Sequence, residues 1–125
     1  MNHTKLTASV ALTVLAALGV ACGGGGGGAG ADGGQVAEGH KQFKATCAVC
    51  HGPNGEGMPK LGKDLNNNEF TQNLSDDELV AFLKKGRPAT DPLNERGVDM
   101  PPMGGNPTLT DADFAQIVAY VRTLQ

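Results

Sequence analysis

The chain has no tryptophan and only five aromatic rings, four Phe and one Tyr, in 125 residues. That length holds one small domain, and so few large side chains cannot fill its interior alone, which leaves room for an apolar body that the polypeptide does not supply. Basic residues are scarce too. Ten Lys and Arg stand against thirteen Asp and Glu, a formal charge of −3, and no basic stripe is visible. Binding a phosphate backbone requires such a stripe, so a nucleic-acid partner is excluded. Cysteine is limited to three residues. A four-ligand zinc site would need a second Cys/His pair at ligand spacing, and there is none. Finally, the one long apolar run, Leu6 to Ala21, has 16 residues and falls short of the ~20 that a spanning helix needs.

What the chain does have is Cys47-Ala48-Val49-Cys50-His51. Two thiols three positions apart, followed at once by an imidazole, form the c-type haem attachment pattern: each thiol adds across one haem vinyl group and His51 ligates the iron. A thioredoxin-like redox pair would sit in a βαβ context, which the flanking sequence does not offer. A porphyrin would also provide the apolar bulk that the composition lacks.

Lys5 followed by the Leu6 to Ala21 run has the form of a signal peptide, residues 1–21, which places the mature protein outside the cytoplasm, on the periplasmic side. Gly19-Val20-Ala21-Cys22 resembles a lipoprotein signal, in which lipid is attached to the cysteine that becomes the mature N-terminus. Leu18 stands four places before Cys22, where such signals usually have Leu three before. The alternative is ordinary cleavage, a free thiol at Cys22 and a soluble periplasmic protein. The lipid anchor is the favoured reading, because an unpaired exposed thiol is ill suited to an oxidising compartment. Nine of the twelve residues from Gly23 to Gly34 are Gly. With Cys22 they make up residues 22–34, an anchor and a flexible tether with a mean span of about 20 Å.

The folded domain covers residues 35–125. Val36, Gly39, Phe43 and Cys47 recur at helical spacing, predicting a helix from about Gln35 to Thr46 that ends at the attachment motif. A Gly at position 39 costs helix stability and points to close approach by another element. His40 shares that helix with the motif, so it cannot reach the opposite haem face and is expected to face solvent. Ser75-Asp76-Asp77-Glu78 is a capping box, with Leu74 and Leu79 as a staple, and Lys84-Lys85-Gly86 closes the helix it starts. Thr110 caps a last helix whose Phe114, Ile117, Val118, Val121 and Leu124 follow 3–4 spacing. Residues 52–65 and the stretch from Gly86 to Pro107, which holds five of the seven prolines, read as loops. A loop as long as the second usually has a functional reason. Here it carries Met100 and Met103, two candidates for a sixth iron ligand; Met58 lies too near His51 along the chain to cross to the far face.

The order of helix, CxxCH, loop, helix, Met-Pro loop and terminal helix resembles the class I cytochromes c over about Gln35 to Gln125. The resemblance implies an all-α cytochrome c fold, three main helices around one covalent haem c. In that family the ligand methionine is the one immediately followed by Pro, which implies Met100, with Met103 as the runner-up. A family Gly-Pro-x-Leu stretch supplies a carbonyl to the proximal histidine. This chain has Gly62-Lys63-Asp64-Leu65, so the Lys63 carbonyl inherits the role without the Pro. The family's crossing of first and last helices maps onto Gly39 and Phe43 with Ile117 and Tyr120.

With both axial positions filled by protein, the iron takes no small-molecule substrate, and the expected function is single-electron transfer rather than catalysis. The partners expected are redox proteins such as a membrane oxidase or a quinol-oxidising complex, reached from a lipid-anchored position. Two alternatives differ in kind. One is a peroxidase or gas sensor whose sixth ligand is displaceable, with Arg96 the basic residue nearest the Met loop. The other is a fixed subunit of a respiratory complex rather than a mobile shuttle.

Overall fold

In the computed structural model, which describes residues 33–125, three long helices and two single-turn helices surround one cavity. The expected signal peptide, Cys22 and most of the tether lie outside the described residues. Helix α1 is Gly33–Thr46, α2 Ala48–His51, α3 Glu69–Gln72, α4 Asp76–Lys85 and α5 Asp111–Arg122, with a 3-10 turn at Pro102–Gly105. Among the described residues the only extended pairing is an isolated antiparallel bridge between Arg87 and Met100. Among them, too, no helix is long and apolar enough to cross a membrane. The all-α class with three main helices is therefore what the chain forms. Helix α1 starts two residues before Gln35, within the range by which helix ends fray.

Local chemistry starts and stops these helices. Ser75 accepts from the Glu78 backbone while the Glu78 carboxylate accepts from the Ser75 N–H at 2.8 Å, and Thr110 and Asp113 make the same reciprocal pair on α5. Gly86 ends α4 at φ 70°, a conformation that favours glycine. The turn α3, in a stretch to which the sequence assigns no element, is capped by Asn68, whose side chain accepts from the Phe70 and Thr71 N–H groups.

The core forms where α1 crosses α5. Phe43, Phe114, Ile117 and Val118 are almost fully buried there, joined by Leu79 of α4, and each such side chain stabilises the fold by roughly 1.5–3 kcal/mol. Gly39 makes the crossing possible: a Cβ at this position would collide with the Gln116 carbonyl. The Phe43 and Tyr120 rings meet at 5.1 Å. The close crossing also covers His40. Its ring stacks on Tyr120 at 4.5 Å and 21°, half-buried, and its Nε2 is buried without a hydrogen-bond partner. The expectation of a solvent-facing His40 is therefore corrected, because α5 comes close enough at Gly39 to shelter the neighbouring position.

Arg122 ties the C-terminal end of α5 to the segment between α3 and α4. Its Nη1 donates to the Thr71 carbonyl, its Nη2 to the Leu74 carbonyl at 2.6 Å and its Nε to Asp76 at 2.8 Å. This fixes the α3 and α4 aromatics relative to the core. Phe70 and Phe82 meet edge to face at 4.8 Å and face the cavity.

Candidate haem site

The attachment motif is presented by a break in the helix. Cys47 follows α1, with its N–H bonded to the Phe43 carbonyl at 2.7 Å, and the Cys47 carbonyl then accepts from His51 at 3.0 Å within α2. One further turn thus carries both thiols and the imidazole. After it, the chain folds back on the motif: Gly57 N–H donates to the His51 carbonyl at 2.7 Å and Gly62 N–H to the Cys50 carbonyl at 3.1 Å. These bonds deliver the Lys63 carbonyl to His51 Nδ1 at 2.8 Å, the contact expected in place of the family proline.

A carbonyl can only accept, so Nδ1 carries the proton and the lone pair of the neutral ring lies on Nε2. Burial pulls the imidazole below its ordinary pKa, against the Lys63 hydrogen bond, which raises it. Neutral imidazole with a free Nε2 is the form that ligates a metal. Burial, with the Cys50 thiol beside it, pushes the Cys47 thiol up to about 11. Thiols that exchange disulfides are shifted the other way, so Cys47 lacks the electrostatics of a redox thiol.

Cys47, Cys50, His51, Met100 and Met103 all line one cavity of about 260 Å³. Met58 is 41% exposed and is not on its wall, and Cys22 is outside the described residues. The cavity is lined mainly by apolar side chains, with Leu65, Phe70, Leu79 and Phe82 among them. Two polar atoms of its lining residues, Thr46 Oγ1 and Arg87 Nε, are buried without a hydrogen-bond partner. The nearest acid to the latter, Asp91, is at 3.7 Å, too far for a hydrogen bond. An apolar macrocycle with acceptor groups at its edge, linked through two thiols, fits both properties of the cavity.

The Met loop is more ordered than proline content alone suggests. Arg87 and Met100 exchange two backbone hydrogen bonds, at 2.9 and 2.8 Å, so the excursion between them begins and ends at one point. Asn94 spans its interior, donating to the Pro88 carbonyl at 3.0 Å and the Val98 carbonyl at 2.7 Å. Beyond Met100, the 3-10 turn holds Met103 at φ 57°. Arg87 is a site residue that sequence reasoning missed; its position directly after the α4 terminator was the one available signal. Thr46 was missed as well, and nothing in its sequence context sets it apart.

A small helical domain that presents CxxCH to an apolar cavity, with a carbonyl-oriented histidine, is a c-type haem protein. The cytochrome c family model matches residues 36–125, and the chain belongs to that family as a class I, mono-haem member carrying one covalent haem c through Cys47 and Cys50. Cytochrome c-555 of Chlorobaculum thiosulfatiphilum is 34% identical over 88 residues, covering 69% of this chain and 92% of the relative. Cytochrome c-555 of Chlorobaculum tepidum is 36% identical over 87 residues, covering 69% and 73%. The cbb3-type cytochrome c oxidase subunit FixP of Sinorhizobium medicae is 36% identical over 93 residues, 71% of this chain, and the match spans only 30% of that subunit. No solved structure matches the chain. The family places the protein in electron transfer.

Proposed function

We propose that this cytochrome is a one-electron carrier whose iron is held by His51 on one face and Met100 on the other, and that it serves a membrane redox complex from the periplasmic side. Haem supplies an iron that cycles between Fe(II) and Fe(III). The chain's residues do the rest: His51 is fixed in one tautomer by Lys63, Met100 is fixed in backbone position by Arg87, and the apolar wall would limit water at a bound metal. The observation that carries the reading is that the oriented imidazole and the clipped Met100 line the same cavity. A neutral thioether raises the reduction potential and leaves no open position for a substrate.

Comparing Met100→Ala with Met103→Ala tests the ligand. Met100→Ala is expected to lose the thioether-to-iron charge-transfer band and to lower the potential, while Met103→Ala keeps both. The reverse pattern overturns the assignment.

The partner we infer is a terminal oxidase of the type to which FixP belongs by name, with a quinol-oxidising complex as the donor side. Lipid on Cys22 and the glycine tether would confine the domain to the membrane surface and raise its effective concentration there. Cys22→Ser is then expected to move the protein from the membrane to the soluble periplasmic fraction; an unchanged distribution contradicts the anchor. Recovery of the mature protein as a monomer supports a shuttle, and recovery only with a membrane assembly supports a fixed subunit.

The second reading, a peroxidase or gas sensor with a displaceable sixth ligand, is favoured by one observation: Arg96 lines the cavity.

A further inference from the structure

Arg87 belongs to the cavity wall, yet its side chain faces a different set of partners from its backbone. The backbone holds Met100 by two hydrogen bonds. The guanidinium lies 4.4 Å from the Phe70 ring centroid and 4.9 Å from that of Phe82, and Nη1 donates to the Leu93 carbonyl at 3.2 Å. The side chain is only 15% exposed. Phe82 of α4 packs against the core and Phe70 belongs to α3, which Arg122 ties to α5 through the Thr71 carbonyl, whereas Leu93 belongs to the excursion that ends at Met100.

The guanidinium therefore joins the excursion to the helices around it. Two backbone bonds at the mouth of a loop compete with water and close it only weakly. A cation sheltered against two aromatic rings is a stronger fastening, because it is desolvated. Asn94 ties the excursion together internally, so a fastening at Arg87 and Leu93 acts on the whole segment.

We propose that Arg87 is a positioning residue that holds the Met100 segment closed over the cavity through a guanidinium packed against Phe70 and Phe82 and bonded to the Leu93 carbonyl. The inference rests on Met100 being the sixth ligand. The guanidinium is central to it: lysine keeps the charge, but its compact, strongly hydrated ammonium does not pack against two rings and reach the Leu93 carbonyl in the same way.

The test uses the full-length, haem-loaded ferric protein titrated with imidazole, which competes for the sixth position and binds only when Met100 leaves. Its apparent affinity then reports the open fraction. Arg87→Ala and Arg87→Lys are each expected to bind imidazole about tenfold more tightly than wild type, and Phe70→Leu, which removes one of the two rings, to show a smaller tightening. If Arg87→Ala does not retain haem, Arg87→Lys and Phe70→Leu carry the test.

Wild-type affinity in these variants, with Met100→Ala binding tightly, overturns the role of Arg87 alone. Met100→Ala binding no more tightly than wild type overturns the ligand reading and this inference with it. A changed potential in Arg87→Ala that Arg87→Lys restores, with imidazole affinity unmoved, also overturns the clamp, because Arg87 then acts through charge.

Discussion

At the residue scale, two positions decide how closely the chain can pack around its cofactor. Gly39 brings the α5 backbone against α1, and its replacement sets two effects against each other. Alanine would gain about 1 kcal/mol of helix propensity, but its Cβ would strike the Gln116 carbonyl, a backbone atom that cannot rotate away. Overpacking typically costs about 1–3 kcal/mol, so Gly39→Ala is expected to destabilise the loaded protein, more so as valine; urea unfolding measures it. An increase in stability would show that the crossing opens easily. Lys63 presents the opposite case. Its backbone carbonyl orients His51, while its ammonium pairs at 2.9 Å with Glu95, both side chains being well exposed. Lys63→Ala keeps the carbonyl and removes only an exposed, solvent-screened surface pair. The visible spectrum is expected to stay unchanged, and a spectral change would mean that the side chain supports the loop.

At the element scale, α4 and α5 each depend on a carboxylate at the third helical position. Hydrogen bonds from Ser75 hold the Glu78 carboxyl below its ordinary value, and those from Thr110 do the same for Asp113. Both folded-state values are depressed, so the contribution is complete above the unfolded values of 4.5 and 3.8 and drains away as pH falls through the folded ones. Thermal melting from pH 7 to pH 3 is expected to lose this contribution below about pH 4, and Glu78→Gln should flatten part of the decline. Ser75→Ala and Thr110→Ala should each cost about 1 kcal/mol at neutral pH. These caps were legible in the sequence because every participant lies within four residues. The His51–Lys63 contact was legible for a related reason: only a backbone atom is needed, and its place follows from the family pattern. What the sequence hid was non-local or too short. Helix α3 is a single turn with no periodicity, readable only through Asn68. The Arg87–Met100 bridge joins residues thirteen positions apart in a stretch without strand alternation. His40 was misread because its exposure depends on how near α5 comes, and helix spacing does not encode that distance.

At the scale of the whole molecule, the core is small and one side of it is a cavity, as the shortage of aromatics implied. Phe43, Phe114, Ile117 and Val121 belong to the buried core and also line the cavity, so bound haem is a continuation of the core. A chain prevented from attaching haem, for example by Cys47→Ala with Cys50→Ala, is expected to lose fixed side-chain packing, read as loss of near-ultraviolet dichroism. Retention of a native signal would show that the three helices pack without it. The central claim is that protein ligands fill both axial positions of the iron, which makes the molecule a carrier. The most direct measurement is the visible spectrum of the reduced protein before and after carbon monoxide. The account predicts a six-coordinate spectrum that the gas leaves unchanged, and rapid formation of a carbon monoxide complex would contradict it.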